Sequence, residues 1–173
     1  MAERARILVS HAEGDDAVFL TATGPCALGL CPALKQYISR FNQPRHRTLY
    51  FDLSGVQSID STFTGFLLAL ATKRSNPAAP DLRLVAPSPR VLEAFRLMHL
   101  KQFFHIQPDM PPLRAEWVEI SLAAEGVEAL RNTVLDAHEQ LINADARNAT
   151  EFARVVEGLR EERDRHSGLG RES

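Results

Sequence analysis

Asp60-Ser61-Thr62 is the run of side chains in this sequence best placed to do chemistry. A hydroxyl can attack, accept a phosphoryl group or cap a helix, and an adjacent carboxylate can orient a partner or hold backbone N–H groups. Ahead of the run, Leu49-Tyr50-Phe51-Asp52-Leu53 is apolar enough for a strand covered on both faces, and Ser54-Gly55 supplies a turn. After it the period changes. Phe63, Phe66, Leu67, Leu70 and Ala71 recur at helical spacing, with Thr64, Thr72, Lys73 and Arg74 elsewhere on the helix. Asp60-Ser61-Thr62 is therefore the first turn of a helix that follows a strand, where the positive end of the helix dipole favours an anion. Capping by Asp60 or Ser61 explains these residue types with no further function, so the rest of the chain decides.

Other candidates carry less. Cys26 and Cys31 are the only thiols, and their spacing is neither a redox Cys-x-x-Cys nor a zinc pattern, so they read as buried structural cysteines. His11, His46, His99, His105, His138 and His166 are scattered without a ligand-like pair, and no metal is assigned. No phosphate-binding Gly-rich loop occurs, and Gly24 and Gly29 make no dinucleotide fingerprint, so no cofactor is expected. Asp15 and Asp16 fit a solvated turn, and Asp52 fits a structural or turn-capping role. No nucleophile with a base and no working carboxylate pair stands out. The expectation is a non-enzymatic chain, a substrate of phosphoryl transfer and not its catalyst.

Composition narrows the class further. With 173 residues, 45% apolar and 24% charged, the chain suits one domain with an appendage. A net charge of -2 argues against nucleic acid and acidic lipid as partners. The longest apolar run, within residues 66–71, is far short of the roughly 20 residues that span a bilayer, so no membrane insertion is expected. The opening Met1-Ala2-Glu3-Arg4-Ala5-Arg6 leads into too brief an apolar stretch for a signal peptide, which makes cytoplasmic the default location.

The elements that must position the hydroxyl cluster follow from local pattern. Residues 7–10 and 17–23 read as a hairpin about Glu13-Gly14-Asp15-Asp16. Residues 31–41, with Leu34, Tyr37, Ile38 and Phe41 at helical offsets, read as the first helix. Beyond the linker Pro77-Ala78-Ala79-Pro80 comes a strand at 82–86. A helix capped by Ser88, with Pro89 at its first position, and an edge strand at 103–106 follow. Alternating strands and helices imply an α/β fold. Past Pro111-Pro112 the chain turns rich in Ala, Glu and Arg, with no strand signal. Val127, Leu130, Val134, Ala137 and Leu141 form one apolar stripe, and Ala149, Phe152, Val156 and Leu159 another. Asn143 to Asn148 reads as a break, and Asn148 with Glu151 fits a capping box for a fresh helix. The expected organisation is a small α/β domain over residues 1–112 and a helical hairpin over 113–173 with a frayed end. The stripes need a surface: the sheet domain, each other, or a second protomer in a homodimer.

Asp52-Leu53-Ser54-Gly55-Val56 followed by Ile59-Asp60-Ser61-Thr62 and a Gly-containing apolar helix resembles the STAS domain of anti-sigma-factor antagonists, over about residues 6–106. The resemblance implies a small mixed sheet with packed helices, and a Ser or Thr at the start of the second helix that a partner kinase phosphorylates. That position here is Thr62, with Ser61 as the competing acceptor. The family more often has Gly directly after the acceptor, whereas this chain has Phe63 there and Gly65 two residues later. The implied partner, an anti-sigma factor or related protein kinase, would meet Asp60, Ser61, Thr62, Phe63 and Thr64. Two alternatives stand beside it: a STAS regulatory subunit of a lipid-transporting ABC complex, and a small-ligand or hydrolase-like α/β domain using Cys26 or Ser61.

Overall fold

The computed structural model describes residues 4–11, 17–40, 48–73, 78–112, 116–121 and 126–169. In chain order its elements are strands β1 (Arg6–His11) and β2 (Ala17–Cys26), helix α1 (Cys31–Ser39), strand β3 (Thr48–Ile59) and helix α2 (Ser61–Thr72). Then come strand β4 (Asp81–Val85), helix α3 (Pro89–Leu97), strands β5 (His105–Gln107) and β6 (Val118–Glu119), and helices α4 (Val127–Ala144) and α5 (Ala149–Leu169). The sheet has six strands in the order β5-β4-β3-β2-β1-β6. β1 pairs antiparallel with β2 and β6, while β2, β3, β4 and β5 run parallel to one another. The α/β class, the hairpin arms, the alternating series and the helical extension expected from sequence are all present. The tip of that hairpin, Glu13-Gly14-Asp15-Asp16, lies outside the described residues.

Three crossovers, through α1, α2 and α3, step in one direction through the sheet. Right-handed connections then place all three helices on the same face. Burial agrees: Leu49, Phe51 and Leu53 are buried, while Tyr50 and Asp52 between them are only half-buried. The apolar run is thus a one-sided strand, against the expectation of cover on both faces. Its opposite side is shielded partly by Phe19, whose ring stacks on Tyr50 at 5.2 Å. Nor do Ser54 and Gly55 turn the chain. β3 continues to Ile59, and the irregularity is absorbed as register shifts against β2. Gly55 makes this possible, because a Cβ there would stand 2.8 Å from Thr23 Cγ2. The side chain of Asp52 accepts from the Ser54 N–H at 2.8 Å, the local role expected of it.

Beyond Pro112 the structure adds a strand where none was expected. Val118 and Glu119 pair with Val9 and Leu8 on the open edge of β1, and Arg6 meets Glu119 at 2.8 Å. Two residues are too few to show an alternation, so pairing geometry and not side-chain pattern makes this strand. The break after α4 is where the sequence suggests, and Asn148, directly before α5, has a further role there. It is buried, and its side-chain amide donates to the Met98 and Leu141 carbonyls at 3.0 and 2.9 Å, tying the hairpin bend to the end of α3. The apolar stripes are only partly buried: Leu141, Phe152 and Val156 are inside, whereas Val127 is 66% exposed. The hydrophobic core that holds Phe51, Phe63 and Leu84 also contains Leu141 and Phe152, so the two C-terminal helices pack both on each other and on the sheet domain.

Candidate functional site

Asp60 ends the extended segment and caps α2. Its Oδ1 accepts from the Phe63 N–H at 2.7 Å, satisfying an orphan donor of the first turn, and its Oδ2 accepts from the Leu28 N–H at 2.9 Å. The Asp60 N–H donates to the Cys26 carbonyl at 3.1 Å. One residue thereby joins the end of β2, the turn before α1 and the start of α2. Of the two caps the sequence allowed, Asp60 is the one used, which leaves Ser61 and Thr62 as the first two helical residues.

The five residues of the expected site fall into different environments. Phe63 is fully buried and meets Phe51 edge-on at 6.3 Å, a core position as helical spacing indicates. Thr64 is fully buried, with its hydroxyl donating to the Asp60 carbonyl at 2.7 Å. Thr62 keeps 5% of its surface, and Ser61 is half-buried. Ser61 meets a side chain of the C-terminal hairpin: its Oγ lies 2.9 Å from Nε2 of His138 on α4. His138 Nδ1 is 2.8 Å from the Val134 carbonyl, which can only accept. Nδ1 therefore carries a proton, and in the neutral imidazole Nε2 accepts from the Ser61 hydroxyl. The ring packs at 4.9 Å on Phe152 of α5.

One turn along α2, Gly65 meets Ala137 backbone to backbone. A Cβ on Gly65 would stand 2.7 Å from the Ala137 carbonyl carbon and 2.8 Å from its Cα, closer than real atoms allow. The glycine placed two residues later than the family pattern is the contact on which α4 crosses α2. Neither His138 nor Ala137 stood out in the sequence. His138 looked like one of six unrelated histidines, and Ala137 like one more small residue on a stripe; only the crossing at Gly65 gives them meaning.

Thiol chemistry finds no support here. Cys26 and Cys31 are free and buried, and burial, followed by the negative charge of Asp60, pushes both thiols up to about 12. A thiol so held stays protonated and is a poor nucleophile at neutral pH.

The STAS domain family model matches residues 9–111. No curated protein matches the chain. Among solved structures it is similar to SLC26A9, with a TM-score of 0.47 and 14% identity over 62% of this chain and 23% of that one, so it spans about a quarter of that protein. It is similar also to the anti-sigma factor antagonist SpoIIAA in its unphosphorylated form, with a TM-score of 0.47 and 17% identity over 58% of this chain and 87% of that one. An anti-sigma factor antagonist from Mycobacterium paratuberculosis gives a TM-score of 0.46 and 23% identity, over 60% of this chain and 87% of that one.

Proposed function

The chain belongs to the STAS domain family, and from that premise we propose that it is a non-enzymatic regulator of the anti-sigma-factor-antagonist kind. Its surface at the start of α2 binds an anti-sigma factor or related protein kinase, and phosphorylation of Thr62 switches that binding off. The observation that carries the reading is the cap: because Asp60 takes the capping role, the two hydroxyls after it stand at the first positions of a helix fixed to a rigid sheet.

Phosphorylation there adds about −1.5 to −2 charges and three acceptor oxygens beside the Asp60 carboxylate. A helix N-terminus tolerates such charge, so the modification acts on the interface and does not melt α2. The nucleotide comes from the partner, since this chain has no phosphate-binding loop.

The test is made with the cognate kinase-type partner and ATP. Thr62→Val should abolish labelling and leave binding of the unphosphorylated protein near normal, whereas Thr62→Glu should weaken binding. A Thr62→Val protein labelled as well as wild type refutes the assignment.

A further inference from the structure

We infer that the face of α2 around Ser61, Gly65 and Ala69 is an interaction surface whose resting occupant is the chain's own α4–α5 hairpin, and that an external partner reaches it only by displacing that hairpin. The inference rests on the reading of the α2 start as the partner site and adds its regulation.

The occupant is seated on the site itself. His138 holds Ser61, and Ala137 lies against Gly65, so α4 crosses the first two turns of α2. Thr62 and Gly65 are three residues apart and therefore neighbours on the helix surface, which puts the crossing beside the proposed acceptor. With 5% of Thr62 exposed, its hydroxyl cannot enter a kinase active site in this arrangement. A phosphate placed there would stand next to the Ser61–His138 contact, at the edge of the crossing, and would oppose closure of a modified chain. Docking of the hairpin, phosphorylation and partner binding thus oppose one another.

The hairpin also has the makings of a unit that can leave. Two of its ion pairs are internal, Arg160 with Glu139 at 2.7 Å and Arg131 with Glu162 at 3.4 Å, and so is the contact of His138 with Phe152. These persist when it undocks. Its polar ties to the sheet domain include Ser61 to His138, and Asn148 to the Met98 carbonyl. The seam is also imperfectly filled. A groove of about 220 Å³, partly open to solvent, lies between α1, α2 and α4, lined by Ile38, Phe66, Ala69, Leu70 and Ala137. Side chains that border open space lack contacts on that side, which weakens the seam. The geometry further specifies the displacing partner: a helical segment with a small residue to lie on Gly65 and a hydrogen-bonding side chain one residue away for Ser61.

The test uses the full-length chain and no kinase. Ala137→Glu puts a charged side chain into the crossing while leaving α2 unchanged, and His138→Ala removes only the polar tie. By hydrogen exchange, both variants should retain wild-type protection in β2, β3 and β4, while amides of α4 and of the first turn of α2 exchange at least tenfold faster. Loss of protection throughout the sheet in Ala137→Glu would make the hairpin an inseparable part of the fold and overturn the inference, as would unchanged α2 exchange in His138→Ala. A hairpin that opens in a chain whose Thr62 is never phosphorylated would instead overturn the functional reading and leave the competition standing.

Discussion

Asp60 was read from sequence as a capping or partner-binding residue, and its two carboxylate oxygens are both engaged by backbone N–H groups, on α2 and before α1. Replacing it with Ala removes a helix cap and leaves the Leu28 N–H without its acceptor, which should cost about 1–3 kcal/mol in chemical denaturation. Asp60→Asn retains an oxygen for one donor only and should cost less. Phe63→Ala should cost about 3–5 kcal/mol, because the ring is fully buried against Phe51; a loss below about 0.5 kcal/mol would place Phe63 at an interface instead. The thiols give a pH dependence of definite sign. Folding raises Cys26 and Cys31 from 9.0 to about 12, so the folded protein holds their protons more tightly. This contribution is fully present below about pH 9 and is lost as pH climbs toward 12. Urea midpoints should therefore fall over that range, and native thiols should resist alkylation at pH 8. At this scale the sequence showed the capping run and the core phenylalanine, because spacing alone determines them. It did not show the Ser61–His138 pair, which joins residues 77 positions apart through a tertiary crossing.

Among the elements, those with a strong period were legible and those made by pairing were not. α2 and α3 could be read from apolar spacing and from Asp60 or Ser88 at their starts. β6 has two residues and exists because β1 offers a free edge, so no local pattern announced it. β3 looked like a buried strand followed by a turn because its apolar run is dense and Ser54-Gly55 resembles punctuation; one-sided cover and a bulged register resolve both points. Gly65 is the element-scale test of the α2–α4 crossing. Gly65→Ala favours the isolated helix by about 1 kcal/mol through propensity alone. Its Cβ collides with Ala137, however, so the variant protein should be less stable than wild type and α4 should exchange faster. A Gly65→Ala protein more stable than wild type, with α4 protected as before, would mean that the helices do not cross there.

Across the whole molecule, the sheet domain and the hairpin share one apolar core, yet the strand–helix series is complete before Pro112. A chain ending at Pro112 should keep a cooperative thermal transition at a lower midpoint, since it loses β6 and the cover supplied by Leu141 and Phe152. Absence of any cooperative transition would show that residues 1–112 do not fold alone. Because Leu141, Phe152 and Val156 are already buried within one chain, sedimentation of the full-length protein should give a monomer. The proposed phosphorylation switch at the start of α2 is tested by phosphopeptide mapping of the protein purified from its own cells. A single phosphate is expected, on Thr62, in a fraction of the molecules. Phosphate confined to Ser61 or Thr64, or a protein that never carries one under any growth condition, would contradict it.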